Sequence, residues 1–188
     1  MKLFVAGSIR LDFLPPAVTA LVRRHKAEGA TFIVGDAPGT DRAFQSLLAE
    51  DHYPDVTVFY SAHSVRNNLG QWDTYFVPSG LKSAGHAAHA IKDRKMSAVA
   101  DAGLMVWDST STGTLANALD LVGQGKPCTL AIEGRFKSIE TFNMESDFAA
   151  LEGAVPEVFT EARKRLAQSR KRLGAMLELQ DGLLDIDW

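Results

Sequence analysis

The chain has 188 residues, 46% of them hydrophobic, with a formal net charge of −3 and a single cysteine. That is enough apolar material for one well-buried core, so one domain with room for an appendage is expected. The charge excludes a general attraction to nucleic acid or anionic membrane, and Cys128 alone closes no internal disulfide and has no thiolate companion for zinc, which fits a reducing compartment.

Residues 3–6 form a continuous apolar run closed by Gly7-Ser8. The run is too short for the hydrophobic region of a signal peptide and reads as a buried parallel strand. Pro15-Pro16 suits a helix start, and Val18, Leu21, Val22 and His25 recur at helical spacing up to Gly29. Residues 31–34 are a second buried strand, stopped by Gly35-Asp36-Ala37-Pro38-Gly39. A helix then runs from Thr40 or Asp41 through Leu48, and residues 56–60 are a third strand.

Residues 61–85 hold Arg66, Asn67, Asn68, Gly70, Trp72, Tyr75, Pro78, Ser79 and Gly80 without periodicity. A long irregular stretch inside a compact domain is usually functional or mobile. Residues 87–100 read as a helix with Ala90, Ile91, Met96 and Val99 inward. Residues 102–107 are a fourth strand, 114–122 a helix and 127–132 a fifth strand.

Alternating strands and helices predict an α/β fold: a Rossmann-like three-layer sandwich with a mainly parallel five-stranded sheet over residues 1–135. Residues 136–188 are expected to form a helical C-terminal extension. Residues 138–152 follow no single pattern. From Pro156 to about Gln180 the chain is helical, with Ala162, Leu166, Leu173 and Leu177 as a sparse apolar stripe. That stripe packs either on the domain or on a partner subunit of a homo-oligomer. No run of about 18 apolar residues occurs, so no membrane span is expected and a cytoplasmic location follows.

Ligands of an open α/β sheet bind beyond the carboxyl ends of its strands. Three loops at that edge are unusual in composition. In Gly7-Ser8-Ile9-Arg10, glycine admits a ligand to the backbone and Arg10 is either a phosphate fork or a surface arginine on a tight turn. In Gly35-Asp36-Ala37-Pro38-Gly39-Thr40-Asp41, helix-start amides attract an anion, while Asp41 by itself reads as a cap. Asp108 then precedes the hydroxyl-rich Ser109-Thr110-Ser111-Thr112-Gly113-Thr114, which suits a phosphate or ribose but equally a helix cap. No Walker A spacing and no Gly-x-Gly-x-x-Gly is present.

Taken in order, Val5-Ala6-Gly7-Ser8, Gly35-Asp36-Ala37-Pro38-Gly39-Thr40-Asp41 and Gly113-Thr114 resemble the SLOG superfamily of Rossmann-like nucleotide-binding proteins. Lys92-Asp93-Arg94-Lys95-Met96 and the segment from Trp107 to Asn117 look like a bacterial and phage-associated branch of it. The likeness covers roughly residues 1–132. It implies a nucleotide or phosphorylated-sugar ligand, because relatives include phosphoribohydrolases, nucleoside deoxyribosyltransferases and domains that only sense nucleotides. The enzymes use a carboxylate four residues after the glycine matching Gly113, and here that residue is Asn117. The deoxyribosyltransferases also carry an aspartate where this chain has Ser111.

An amide cannot act as the nucleophile, so a binding module, sensor or carrier is the first expectation. Its site would comprise Gly7, Ser8, Arg10, Gly35, Asp36, Gly39, Thr40, Asp41, Arg94, Ser111, Gly113, Thr114 and Asn117. The alternative is a hydrolase or transferase at the N-glycosidic bond with a displaced carboxylate, Asp108 first and Asp36 or Asp93 behind it. His86 and His89 lack a third ligand at a telling spacing, so neither a metal nor a cofactor is expected. Trp72 and Tyr75 either stack on a base or pin their loop. Residues 163–172 carry six basic residues and no acids but no interleaved aromatics. They read as a solvated helix face, and nucleic acid is expected to be an unlikely partner.

Overall fold

The computed structural model describes residues 1–79, 85–134 and 136–184, without the side chains of His86 and residues 177–184. Gly80, Asp185 and Asp187, and the side chains of His86, Leu177 and Asp181, therefore lie outside the described residues. Seven strands form one sheet in the order β4-β3-β2-β1-β5-β6-β7. They are β1 (Lys2–Gly7), β2 (Thr31–Gly35), β3 (Val56–Tyr60), β4 (Asp73–Phe76), β5 (Ala102–Trp107), β6 (Cys128–Ile132) and β7 (Ser138–Phe142). Every pairing is parallel except β6 with β7.

Side-chain alternation along the strands creates two cores. Leu3 and Val5 of β1 join Phe32 and Val34 of β2 beneath α1 (Pro16–Ala27) and α2 (Thr40–Glu50). Phe4 and Ala6 face the other way. There Met105, Trp107 and Leu130 meet α3 (His86–Val99), α4 (Thr112–Gly123) and α6 (Pro156–Leu184). Central strands buried on both faces read as continuous apolar runs, which is why β1, β2 and β5 were legible.

The five-stranded expectation is corrected to seven. Both additional strands sit at the sheet edges, where burial no longer dictates composition. All four residues of β4 are exposed, and in β7 only Phe142 is buried. Phe142 stacks on Phe148 at 4.1 Å, and Phe148 meets Phe159 of α6 at 5.8 Å. Phe148 closes a short 3-10 turn (Glu145–Phe148) that leads into α5 (Ala149–Ala154).

Helix α6 lies against α3 and α4, burying Phe159, Ala162 and Leu166 in the second core. Arg163 forks onto Glu152 at 2.9 and 3.1 Å, tying α6 to α5. Among the described residues, no helix is long and apolar enough to cross a membrane.

Candidate functional site

From β1 the chain progresses through β2, β3 and β4 to one side, and from β5 it progresses through β6 to the other. The carboxyl ends of β1 and β5 thus flank the switch point, where an open α/β sheet leaves a crevice. A cavity of about 320 Å³ occupies it. Gly7, Arg10, Asp41, Asp108, Ser111, Gly113, Thr114 and Asn117 of the expected site line this cavity. Ser8, Gly35, Asp36, Gly39, Thr40 and Arg94 do not line it.

The loop after β1 is locked by hydroxyls. Ser8 Oγ accepts from the Asp108 amide at 3.0 Å and lies 3.4 Å from Thr114 Oγ1. Thr40 Oγ1 donates to the Ser8 and Leu11 carbonyls at 2.9 and 3.1 Å. The loop after β2 needs glycine at position 39, whose φ is +75° and whose missing side chain would meet the Ile9 carbonyl. Gly35 is a second close approach, because a Cβ there would collide with Asp41 Oδ2 and Lys92 Nζ.

Asp36 is buried and held by Arg66, whose Nη2 donates to Oδ1 at 2.6 Å and Nε to Oδ2 at 3.0 Å. Burial alone would raise its pKa, but Arg66 outweighs burial and holds it below the ordinary carboxylate value. Asp108 Oδ1 accepts from the backbone amides of Thr110 at 3.0 Å and Ser111 at 2.7 Å. Those bonds outweigh burial and hold Asp108 below the ordinary carboxylate value. Asp36 and Asp108 are thus loop-forming carboxylates, with Asp108 also at the cavity wall.

Arg94 is almost fully buried. It donates from Nη1 to the Ala116 carbonyl at 3.1 Å, from Nη2 to Asn117 Oδ1, and pairs with Asp120 at 3.3 Å. Ser97 also donates to Asp120, and Arg170 of α6 reaches it at 2.7 Å. Arg94 therefore clamps α3, α4 and α6 together beneath the cavity.

Helices α3 and α6 supply groups the sequence motifs did not collect. Lys92 is buried; its Nζ lies 3.0 Å from Asp93 Oδ1 and 3.4 Å from Met96 Sδ, with Asp41 also close by. Asp93 Oδ2 accepts from Asn117 Nδ2 at 3.5 Å. Burial would raise the Asp93 pKa, but Lys92 and Arg94 outweigh it and hold it low. Asp41 differs: burial, reinforced by the Asp93 charge, pushes it up to about 7 despite Lys92.

His89 Nδ1 lies 3.0 Å from Ser61 Oγ, and burial together with Arg66 and Lys92 lowers its pKa, so it is neutral at pH 7. Arg165 of α6 comes within 3.6 Å of where a Gly113 side chain would stand. Periodicity hid Arg165 because its helix is basic on several faces; only the packing of α6 on α3 and α4 selects it. Four cations (Arg10, Arg66, Lys92, Arg165) and three carboxylates (Asp41, Asp93, Asp108) line the cavity.

Trp72 donates from Nε1 to the Tyr53 carbonyl at 2.8 Å, and Tyr75 stacks on Phe59 at 4.8 Å. Both pin the irregular stretch and neither lines the cavity. Among the described residues no group of three or more His, Cys, Asp or Glu is placed to hold a metal.

No family model and no curated protein matches the chain. Its fold is similar to a solved structure of DNA processing protein A from Helicobacter pylori, described for a unique single-stranded DNA binding mode. The TM-score is 0.50 and the identity 16%, over 81% of this chain and 73% of that one. This corrects the expectation that nucleic acid is an unlikely partner, since a protein of similar fold is described for binding single-stranded DNA. Overall acidity is a property of the whole surface, whereas a strand is held by local cations.

Proposed function

We propose that the switch-point cavity binds a nucleotide, with its phosphate held between Arg10, Arg165 and the first turn of α4 and its sugar toward Asn117 and Asp93. The observation that carries this reading is the cavity's charge. Arg10 and Arg165 line it without an ion pair or hydrogen bond among the described residues, beside the backbone amides that open α4. Unpaired cations and helix-start amides converging on one concavity favour an anion. The hydroxyls of Ser111 and Thr114 and the amide of Asn117 suit a ribose beside it. The three loops remain similar to those of the SLOG superfamily, and membership of it is part of the same proposal.

DNA processing protein A binds single-stranded DNA, so a short oligonucleotide belongs in the binding series beside free nucleotides. Titration calorimetry with nucleoside monophosphates, dinucleotides, cyclic nucleotides and a single-stranded oligonucleotide tests the reading. Arg165→Ala is expected to weaken the best ligand by about 10- to 100-fold, the worth of one charge-assisted hydrogen bond. Absence of binding across the whole series overturns it. Binding of the oligonucleotide alone makes the ligand a strand rather than a free nucleotide.

A further inference from the structure

We propose that nucleotide binding at the switch-point cavity is coupled to uptake of a proton by Asp41, so that the site holds its ligand tightly below neutral pH and loosely above it. The proposal rests on the nucleotide reading above and adds the regulation of that site. Its ground is a shortage of donors in the cavity. Asp41 and Asp93 share one buried ammonium there, Lys92, whose Nζ lies 3.0 Å from Asp93 Oδ1. Asp93 also accepts from Asn117 Nδ2 at 3.5 Å, an amide whose oxygen is taken by Arg94. Asp41 is only 7% exposed, and among the described residues it accepts one hydrogen bond, from the Ala37 amide at 3.3 Å. Of two buried acids that share one cation, the one with fewer donors keeps a proton more readily. Gly35 maintains the arrangement, since a side chain there would collide with both Asp41 and Lys92.

The charged groups around Asp41 come from three directions. Helix α3 brings Lys92 and Asp93, and its His89 is neutral at pH 7. The loops after β2 and β3 bring Asp36 and Arg66, which are paired with each other. Its own helix adds Arg42, which is exposed, while β1 and β2, against which α2 packs, carry no titratable side chain at this end. Burial and the Asp93 charge outweigh Lys92, so Asp41 titrates at about 7 while Asp93 stays ionised.

That one proton decides the sign of the lining. Of the four cations in the cavity, Arg66 is cancelled by Asp36, and Arg10, Lys92 and Arg165 are matched in number by Asp41, Asp93 and Asp108. The lining is neutral while Asp41 is ionised and carries one net positive charge once Asp41 is protonated, with Lys92 then left to Asp93. A cavity of about 320 Å³ is about as wide as the screening length of roughly 8 Å, so an anion anywhere in it acts on Asp41. A phosphate therefore raises the proton affinity of Asp41, and by linkage the protonated protein binds the phosphate more tightly.

Nucleoside monophosphates, dinucleotides, cyclic nucleotides and a single-stranded oligonucleotide are titrated calorimetrically from about pH 6 to 8.5, in two buffers of different ionisation enthalpy at each pH. Affinity is expected to fall above pH 7 by a factor approaching about 10 per unit, a range in which phosphate monoesters, with a second pKa of about 6, are already dianionic. At pH 7.5 the two buffers report uptake of about three-quarters of a proton per nucleotide. Asp41→Asn shows no such fall and at pH 8 binds about 10-fold more tightly than the wild type. Asp93→Asn, which leaves Lys92 to Asp41, moves the fall to lower pH and decides the assignment if Asp41→Asn does not fold. Binding that is flat in pH and takes up no proton overturns the coupling and leaves the nucleotide reading standing. A fall that persists in Asp41→Asn, or that stays at the wild-type pH in Asp93→Asn, overturns the assignment to Asp41. Absence of binding across the whole series at every pH overturns both.

Discussion

The loops after β1, β2 and β5 and the helices α3 and α6 both bring charge to the switch point, yet they use it differently. In the loops, Asp36 and Asp108 are engaged by Arg66 and by backbone amides, so their charge fixes loop shape. On the helices, Lys92, Asp93 and Arg165 project into the cavity from a backbone already satisfied by its own ladder. A loop must hydrogen-bond its irregular backbone before it can serve a ligand. A helix has no such obligation, so its polar side chains remain available for chemistry.

Arg94 is the helix residue that breaks this pattern, and testing it gives the largest expected effect. It sits on the same helix as Lys92 and Asp93 but binds Ala116, Asn117 and Asp120 rather than opening into the cavity. Arg94→Met leaves the buried Asp120 to Arg170 and Ser97 and strips the Ala116 carbonyl and Asn117 Oδ1 of their donor, and each buried group left short costs about 1–3 kcal/mol. Urea unfolding is expected to show that loss. A variant that keeps its stability but weakens binding of the proposed nucleotide ligand would place Arg94 with the ligand-facing groups instead.

The same division explains what was legible in the sequence. The buried strands and the three loops were readable because central strands are apolar throughout and glycine and hydroxyl clusters mark turns at their ends. Strands β4 and β7 were not, since an edge strand pairs on one side and leaves its composition free. Of the site, Gly7, Asp41, Gly113 and Asn117 follow from loop motifs. Lys92 was quoted only as part of a resemblance, because its meaning depends on Gly35 and Asp41 lying against it. Arg165 depends on how α6 crosses α4, which no local spacing encodes.

Asp41 and Asp36 sharpen the contrast through pH. The folded-state pKa of Asp41 is raised to about 7, above its value of 3.8 in the unfolded chain. Its contribution to stability is complete below the unfolded value and is lost as pH rises through about 7. Asp36, Asp93 and Asp108 have lowered values, so their contributions are present above pH 3.8 and are lost only on further acidification. His89, with its lowered pKa, loses stability as pH falls below 6.5, inside the Asp41 window. The informative quantity is therefore the stability difference between wild type and Asp41→Asn, in which the His89 contribution is common. That difference is expected to shift in favour of Asp41→Asn by about 1.4 kcal/mol for each unit crossed between pH 4 and 7. A flat difference would mean that Asp41 is ionised throughout and no longer distinct from the loop carboxylates.

The smallest effects separate two loop residues in the left-handed region. Gly39 has φ +75° and abuts the Ile9 carbonyl, whereas Ser109 has φ +65° and donates from its hydroxyl to the Glu133 carbonyl at 2.8 Å. Gly39→Ala adds a side chain where neither the dihedral nor the space accepts one, at about 1–3 kcal/mol. Ser109→Gly relieves a strained dihedral but removes a hydrogen bond of similar worth and frees the unfolded chain, so its net change is within about 0.5 kcal/mol. Thermal unfolding of the two variants side by side measures the gap. If Gly39→Ala were as mild as Ser109→Gly, the loop after β2 would be adjusting around the new methyl, and its fixed place against Ile9 would not be what shapes the cavity wall.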